Sequence, residues 1–176
     1  GYRVLECALS RSESRLAYAG LADLVRPVLD EVLPVLARPQ ARALRAALAI
    51  SDEEGTAPDE HAVAFGLYGA LTAIARSSPI ALAVDDIQWL DPSSALMLSY
   101  AIRRLREEPV LLVLAQRDGE RPGQPVPLTD GLGIDLERME GESAGPRERL
   151  DVGGIEVGVV PAEPVVDMPD DQLEPE

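Results

Sequence analysis

Residues 79–91 read PIALAVDDIQWLD, and this stretch decides the fold. Ile80 to Val84 form an unbroken apolar run that ends at two adjacent carboxylates, Asp85 and Asp86. A short apolar run without polar alternation predicts a strand covered on both faces, as in parallel sheets flanked by helices. In such sheets ligands collect beyond the carboxyl ends of the strands. Two acids side by side repel and lose hydration, so they persist at low cost only where a cation, an arginine or a helix N-terminus compensates. A magnesium ion held through carboxylate and water is the natural cation. The competing reading is that both acids cap a loop and face water.

Working outward, Asp91 followed by Pro92 predicts a helix N-terminus. Leu96, Leu98, Ala101, Ile102 and Leu105 supply the inner face of that helix, and Val110–Ala115 is a second buried strand. Upstream, DEHAVAFGLYGALTAIAR predicts a helix from about Asp59 to Arg76, with acids at its positive end and an arginine at the other. Residues 38–50 predict another helix with Ala43, Leu44, Ala47 and Leu48 as its apolar stripe. LAYAGLADLVRPVLDEVLPVL predicts an amphipathic helix broken near Pro27 or Pro34. Tyr2–Leu9 reads as a strand, SDEEGTAPDE as a solvated loop and LGIDLE as one more short strand. Strands alternating with helices imply an α/β fold with a parallel sheet.

From Glu137 the character changes. Residues 1–136 hold 19 acids against 13 arginines, whereas residues 137–176 hold 12 acids against 3 arginines and are rich in proline and glycine. The expected division is an α/β domain over 1–136 and a disordered acidic tail over 137–176, in which GGIEVGVVP is a weak edge strand at most. The net charge of −15 argues against this segment binding DNA directly. No apolar run approaches the roughly 18 residues that span a bilayer, and no basic-then-apolar leader opens the sequence, so no membrane association and a cytoplasmic location are expected. Cys7 and His61 are each the only residue of their type, which argues against a zinc site and rules out an internal disulfide.

The blocks ESRLAYAGLADLVRPVLD, ALRAALA, VDDIQWLDPSSALMLSYAIRRL and VLLVLAQRDGE occur in that order. Together they resemble the ATPase domain of large LuxR-type transcriptional regulators, in the STAND branch of AAA-like P-loop ATPases. The resemblance covers residues 1 to 136, and VDDIQWLDPSS is its most specific part. It implies a partial three-layer α/β/α P-loop NTPase-like sheet and a parent protein that uses ATP and Mg²⁺. Carried over by position, Asp85 resembles the Mg²⁺-binding acid of the Walker B motif, Asp86 the acid that activates or positions the attacking water, and Arg117 the sensor that reads the γ-phosphate. Trp89 and Asp91 resemble the linker from strand to helix, with packing and helix capping as their plainer roles. Arg103 and Arg104 match an arginine pair of the family, which an exposed helix face explains equally well.

The glycine-rich phosphate loop of that family, G-x-x-x-x-G-K-[ST], needs a lysine, and all 16 basic residues here are arginine. In the family this loop and its strand precede the segment matching GYRVLECALS. A fragmentary gene product, with weak or lost ATP binding and no hydrolysis on its own, is therefore expected. In the family order five-one-four-three-two, the strands at Tyr2–Leu9, Ile80–Val84 and Val110–Ala115 take positions two, three and four. The last would present an open edge inviting self-association or a protein partner, unless LGIDLE or IEVGVV covers it. A non-catalytic interaction module is the alternative function.

Overall fold

A computed structural model of the chain describes residues 1–49, 58–105, 108–117, 128, 148–152 and 155–162. Strand β1 (Arg3–Ala8) leads through four helices, α1 (Ala19–Val25), α2 (Leu29–Val32), α3 (Arg38–Ala47) and α4 (Glu60–Ser77), into β2 (Ile80–Asp85). Helix α5 (Pro92–Ile102) then connects β2 to β3 (Val110–Arg117), and β4 (Glu148–Val152) and β5 (Ile155–Ala162) follow. The sheet order is β1-β2-β3-β5-β4.

The first three strands are parallel neighbours, with Leu5 beside Leu82 and Leu82 beside Leu112. Both connections step in the same direction across the sheet. Parallel crossovers are almost always right-handed, so two steps in one direction put their helices on the same face. Burial follows that rule. Leu5, Cys7, Leu82, Val84, Leu112 and Leu114 are at most 3% exposed, whereas Val4, one residue out of phase, is 57% exposed. Among the described residues the helices thus form one layer on one side of the sheet. The α/β class stands as expected; the second helical layer of a three-layer sandwich is not found among these residues.

The two prolines of the first helical stretch act as sequence logic requires. Pro27 and Pro34 each sit in a 3₁₀ turn, Arg26–Val28 and Leu33–Val35, and divide the stretch into α1, α2 and a final turn. A proline lacks the N–H that an α-helix would bond four residues back, so the tighter turn costs less there. Helix α4 starts at its side-chain cap, where Asp59 accepts the N–H of Ala62 at 3.1 Å. Its inner face, Val63, Leu67, Leu71 and Ile74, is at most 1% exposed. Gly66 lets α3 come close: a Cβ there would lie 2.8 Å from Leu44 Cγ and 3.1 Å from the carbonyl oxygen of Gln40.

The tail departs from expectation. Two of its segments are strands, β4 and β5, and β5 pairs in parallel with β3, from Leu111 beside Glu156 to Arg117 beside Ala162. The β3 edge is therefore covered by the IEVGVV segment, while LGIDLE and the SDEEGTA stretch lie outside the described residues. Ile155 and Val157 alternate with Glu156 and Gly158, a short period-two pattern that suits a strand. The density of Pro, Gly and acid around it masks that short signal. No described helix is long and apolar enough to cross a membrane.

Candidate functional site at the carboxyl edge of the sheet

Asp85 is the last residue of β2 and lies in register with Ala8 at the end of β1. Its side chain is exposed, and its Oδ1 accepts the backbone N–H of Asp86 at 2.8 Å. The chain then turns sharply: Asp86 has φ 52° and ψ 46°, the left-handed region that disfavours side chains other than Asn and Asp. That turn carries Asp86 inward to 6% exposure, where its Oδ1 accepts the Gln88 side-chain amide at 3.1 Å. The 3₁₀ turn Ile87–Trp89 follows, closed by the N–H of Trp89 on the Asp86 carbonyl at 2.8 Å. The two carboxylates are thus adjacent at one strand end but differently housed: Asp85 faces solvent, Asp86 is folded under and held by Gln88.

Arg117 ends β3, the strand on the other side of β2. Its backbone therefore lies at the same edge of the sheet as Asp85 and Asp86. Trp89 is half-buried against the core, and the guanidinium of Arg11, three residues beyond the end of β1, stands 5.5 Å from its ring centre. The loop carrying Arg11 is knit together by its own residues. Ser10 Oγ donates to Glu13, Ser14 Oγ donates to the Arg11 carbonyl at 2.9 Å, and the N–H of Leu16 donates to the Glu13 carbonyl at 2.8 Å.

Asp91 does more than cap α5. Its Oδ1 accepts the N–H of Ser94 at 2.9 Å, the expected cap, and also the N–H of Tyr18 at 2.9 Å. Its Oδ2 accepts the N–H of Gly20 at 3.2 Å, and Ser94 Oγ accepts the N–H of Leu21 at 2.8 Å. The first turn of α1 has no capping side chain of its own, since Tyr18 occupies the cap position. Its orphan N–H groups are satisfied from α5 instead. Gly20 leaves room for the approach: a Cβ there would lie 2.6 Å from Leu90 Cδ1, so that side chain would have to shift. Arg104, at the far end of α5, donates to the Tyr100 carbonyl at 3.1 Å and stacks 3.4 Å from that ring's centre, so the helix terminus accounts for it.

Cys7 lies beneath this edge. Burial, and then the charges of Asp23, Asp91 and Asp85, push its thiol up to about 12. Tyr18 is raised as well, by burial first and by Glu60 and Asp91 next. A thiol held neutral in an acidic setting is a poor nucleophile and a poor metal ligand.

The residues present fit a magnesium ion only in part. Asp85 and Asp86 offer the hard oxygen donors that Mg²⁺ takes, usually one or two carboxylates with water and phosphate completing its shell. Among the described residues no three His, Cys, Asp or Glu side chains gather as a closed metal site. The lysine that would bridge the phosphates has no counterpart, because all 16 basic residues are arginine.

Fold and edge thus define an α/β protein with an acidic pair at the carboxyl end of a central strand. No protein-family model matches the chain, and no solved structure matches it. A stretch of 51 residues is 43% identical to an uncharacterized protein of Rhizobium meliloti (strain 1021), covering 29% of this chain and 5% of that relative. The match therefore spans about a twentieth of the relative's length.

Proposed function

We propose that the chain is a partial ATPase domain of a LuxR-type, ATP-dependent transcriptional regulator, binding Mg-ATP weakly and not hydrolysing it alone. The observation that carries this reading is the seat of Asp85 and Asp86 at the carboxyl end of β2, between β1 and β3. In that role Asp85 would hold Mg²⁺, Asp86 would position the attacking water, and Arg117 would meet the terminal phosphate. Bound magnesium would supply charge neutralisation on the phosphates. The Gln88 amide would keep the Asp86 carboxylate oriented, and the left-handed turn at Asp86 carries it inward. Without the phosphate-bridging lysine, a large part of the phosphate-binding free energy is missing.

Isothermal titration with Mg-ATP, paired with a phosphate-release assay, tests this. The expected result is no better than millimolar affinity and no turnover; micromolar affinity or steady phosphate release would contradict it.

One observation favours a second reading, a non-catalytic interaction module. Phe65 on α4 and Leu96 on α5 are 44% and 51% exposed, and Phe65 meets the Tyr100 ring edge-on at 5.4 Å. An apolar surface of this kind suits a protein partner. A clean monomer in light scattering, unchanged by Phe65→Ser with Leu96→Ser, would remove self-association through that surface.

A further inference from the structure

An oligophosphate that carries magnesium remains anionic, and this protein has no lysine to meet it. The loop after β1 places another cation at the same edge. The Arg11 guanidinium stands 5.5 Å from the centre of the Trp89 ring, and the N–H of Trp89 donates to the Asp86 carbonyl at 2.8 Å. Ala8 at the end of β1 lies in register with Asp85 at the end of β2. Arg11 and the two carboxylates therefore share one end of the sheet.

The guanidinium is not engaged in an ion pair. Arg11 is exposed in a protein with 31 acids, yet among the described residues no carboxylate pairs with it and no oxygen accepts from it. The acid of its own loop, Glu13, accepts from Ser10 Oγ, and Asp85 accepts the N–H of Asp86. Contact with an aromatic face steadies a guanidinium while using none of its five N–H donors. The backbone beneath it is tied down by the bond from Ser14 Oγ to the Arg11 carbonyl at 2.9 Å. A steadied cation with its donors unengaged, beside carboxylates suited to a hard divalent ion, is an arrangement that accepts an oxyanion spanning the two.

We propose that Arg11 is a phosphate-binding residue of this edge. Its guanidinium donates to one oxygen of a phosphate group whose other oxygens reach the cation at Asp85, and Trp89 steadies the donor. The inference rests on the reading of Asp85 as a divalent-cation ligand and names the anion which that ion carries. The ligand class is an oligophosphate, free or as part of a nucleotide.

Trp89 is the only tryptophan, so its indole N–H gives a single NMR signal beside the Arg11 contact. That signal is followed while equimolar magnesium and tripolyphosphate, or Mg-ATP in a parallel series, are added at millimolar concentration. Wild type, Arg11→Gln, Arg11→Lys and Asp85→Asn are compared, with affinity read from the concentration dependence. The expected result is a saturable shift with both ligands in wild type and about tenfold weaker affinity in Arg11→Gln. Arg11→Lys, which keeps the charge and loses the fork, should recover part of that loss, and thermal melts of Arg11→Gln and wild type should coincide. Equal affinity in Arg11→Gln and wild type would overturn the proposal, and the cation reading would stand if Asp85→Asn still weakened binding. Affinity lowered in Arg11→Gln but unchanged in Asp85→Asn would support the phosphate contact and remove the cation reading. A response to Mg-ATP without one to tripolyphosphate would place the contact on the nucleoside and overturn the proposal. The absence of a saturable shift with either ligand would overturn both.

Discussion

The Asp91 carboxylate accepts the backbone N–H of Gly20 at 3.2 Å across 71 residues of sequence, while also accepting those of Tyr18 and Ser94. One side chain, 1% exposed, therefore starts two helices. It also fixes the segment that follows the acidic pair against the loop that carries Arg11.

Replacing Asp91 should expose that double duty. Asp91→Ala leaves three buried or capping N–H groups without an acceptor and is expected to cost about 3–5 kcal/mol. Asp91→Asn keeps one oxygen for Tyr18 and Ser94 and should cost about 1–2 kcal/mol. Urea denaturation measures both. A loss near 1 kcal/mol for Asp91→Ala, the ordinary value of a helix cap, would show that α1 does not depend on it.

Gly66 is set by packing rather than by backbone angle. Alanine there gains about 1 kcal/mol of helix propensity, against about 1–3 kcal/mol for forcing Leu44 and the Gln40 carbonyl apart. Gly66→Ala is therefore expected to be neutral to destabilising, by up to about 2 kcal/mol, in thermal or urea melts. A stabilised variant would mean that α3 shifts freely on α4.

Asp86 separates stability from ion binding. Its φ of 52° suits glycine and asparagine; Asp86→Asn, which keeps an oxygen for Gln88, should fold with stability within about 1 kcal/mol of wild type, and Asp86→Gly should lose about 1 kcal/mol with that hydrogen bond. Asp86→Val places a β-branched side chain in the left-handed region and should lose about 2 kcal/mol or more. Circular-dichroism melts of the three variants decide the point, and equal melting of all three would remove the backbone argument.

Cys7 makes a pH prediction. Its thiol is raised to about 12 in the fold, whereas an unfolded chain ionises near 8.5. The unfolded state therefore releases its proton first as pH rises. The stabilisation is fully present below pH of about 8 and is lost progressively between about 9 and 12. Tyr18, shifted in the same direction, adds to the loss at the alkaline end. A thiol reagent at pH 8 should leave the native protein untouched and label it in urea; rapid native labelling would contradict the burial of Cys7.

Much of this was legible in the sequence for simple reasons. Apolar runs without alternation marked β2 and β3, prolines marked the broken helix, and Asp-Pro marked the start of α5. Asp85 and Asp86 were found because charge directly after a buried strand needs a reason. The staple from Asp91 to α1 was not found, although a trace existed: LAYAG offers no capping side chain, so its N–H groups had to be met from elsewhere. The contacts of Gln88 with Asp86 and of Arg11 with Trp89 had no local signal, because both depend on how a tight turn aims side chains. Strand β5 reads in the sequence only as a weak edge strand and one of two candidate covers for β3, because composition averages over a window longer than one strand.

Manganese titration followed by NMR tests the central claim most directly, since Mn²⁺ replaces Mg²⁺ at oxygen sites and broadens nearby amide signals. The expected result is selective broadening at residues 85–89 and at the neighbouring end of β1, abolished by Asp85→Asn. Broadening confined to the acidic residues beyond Glu137, or unchanged in Asp85→Asn, would contradict the assignment of the β2 carboxyl end as a divalent-cation site.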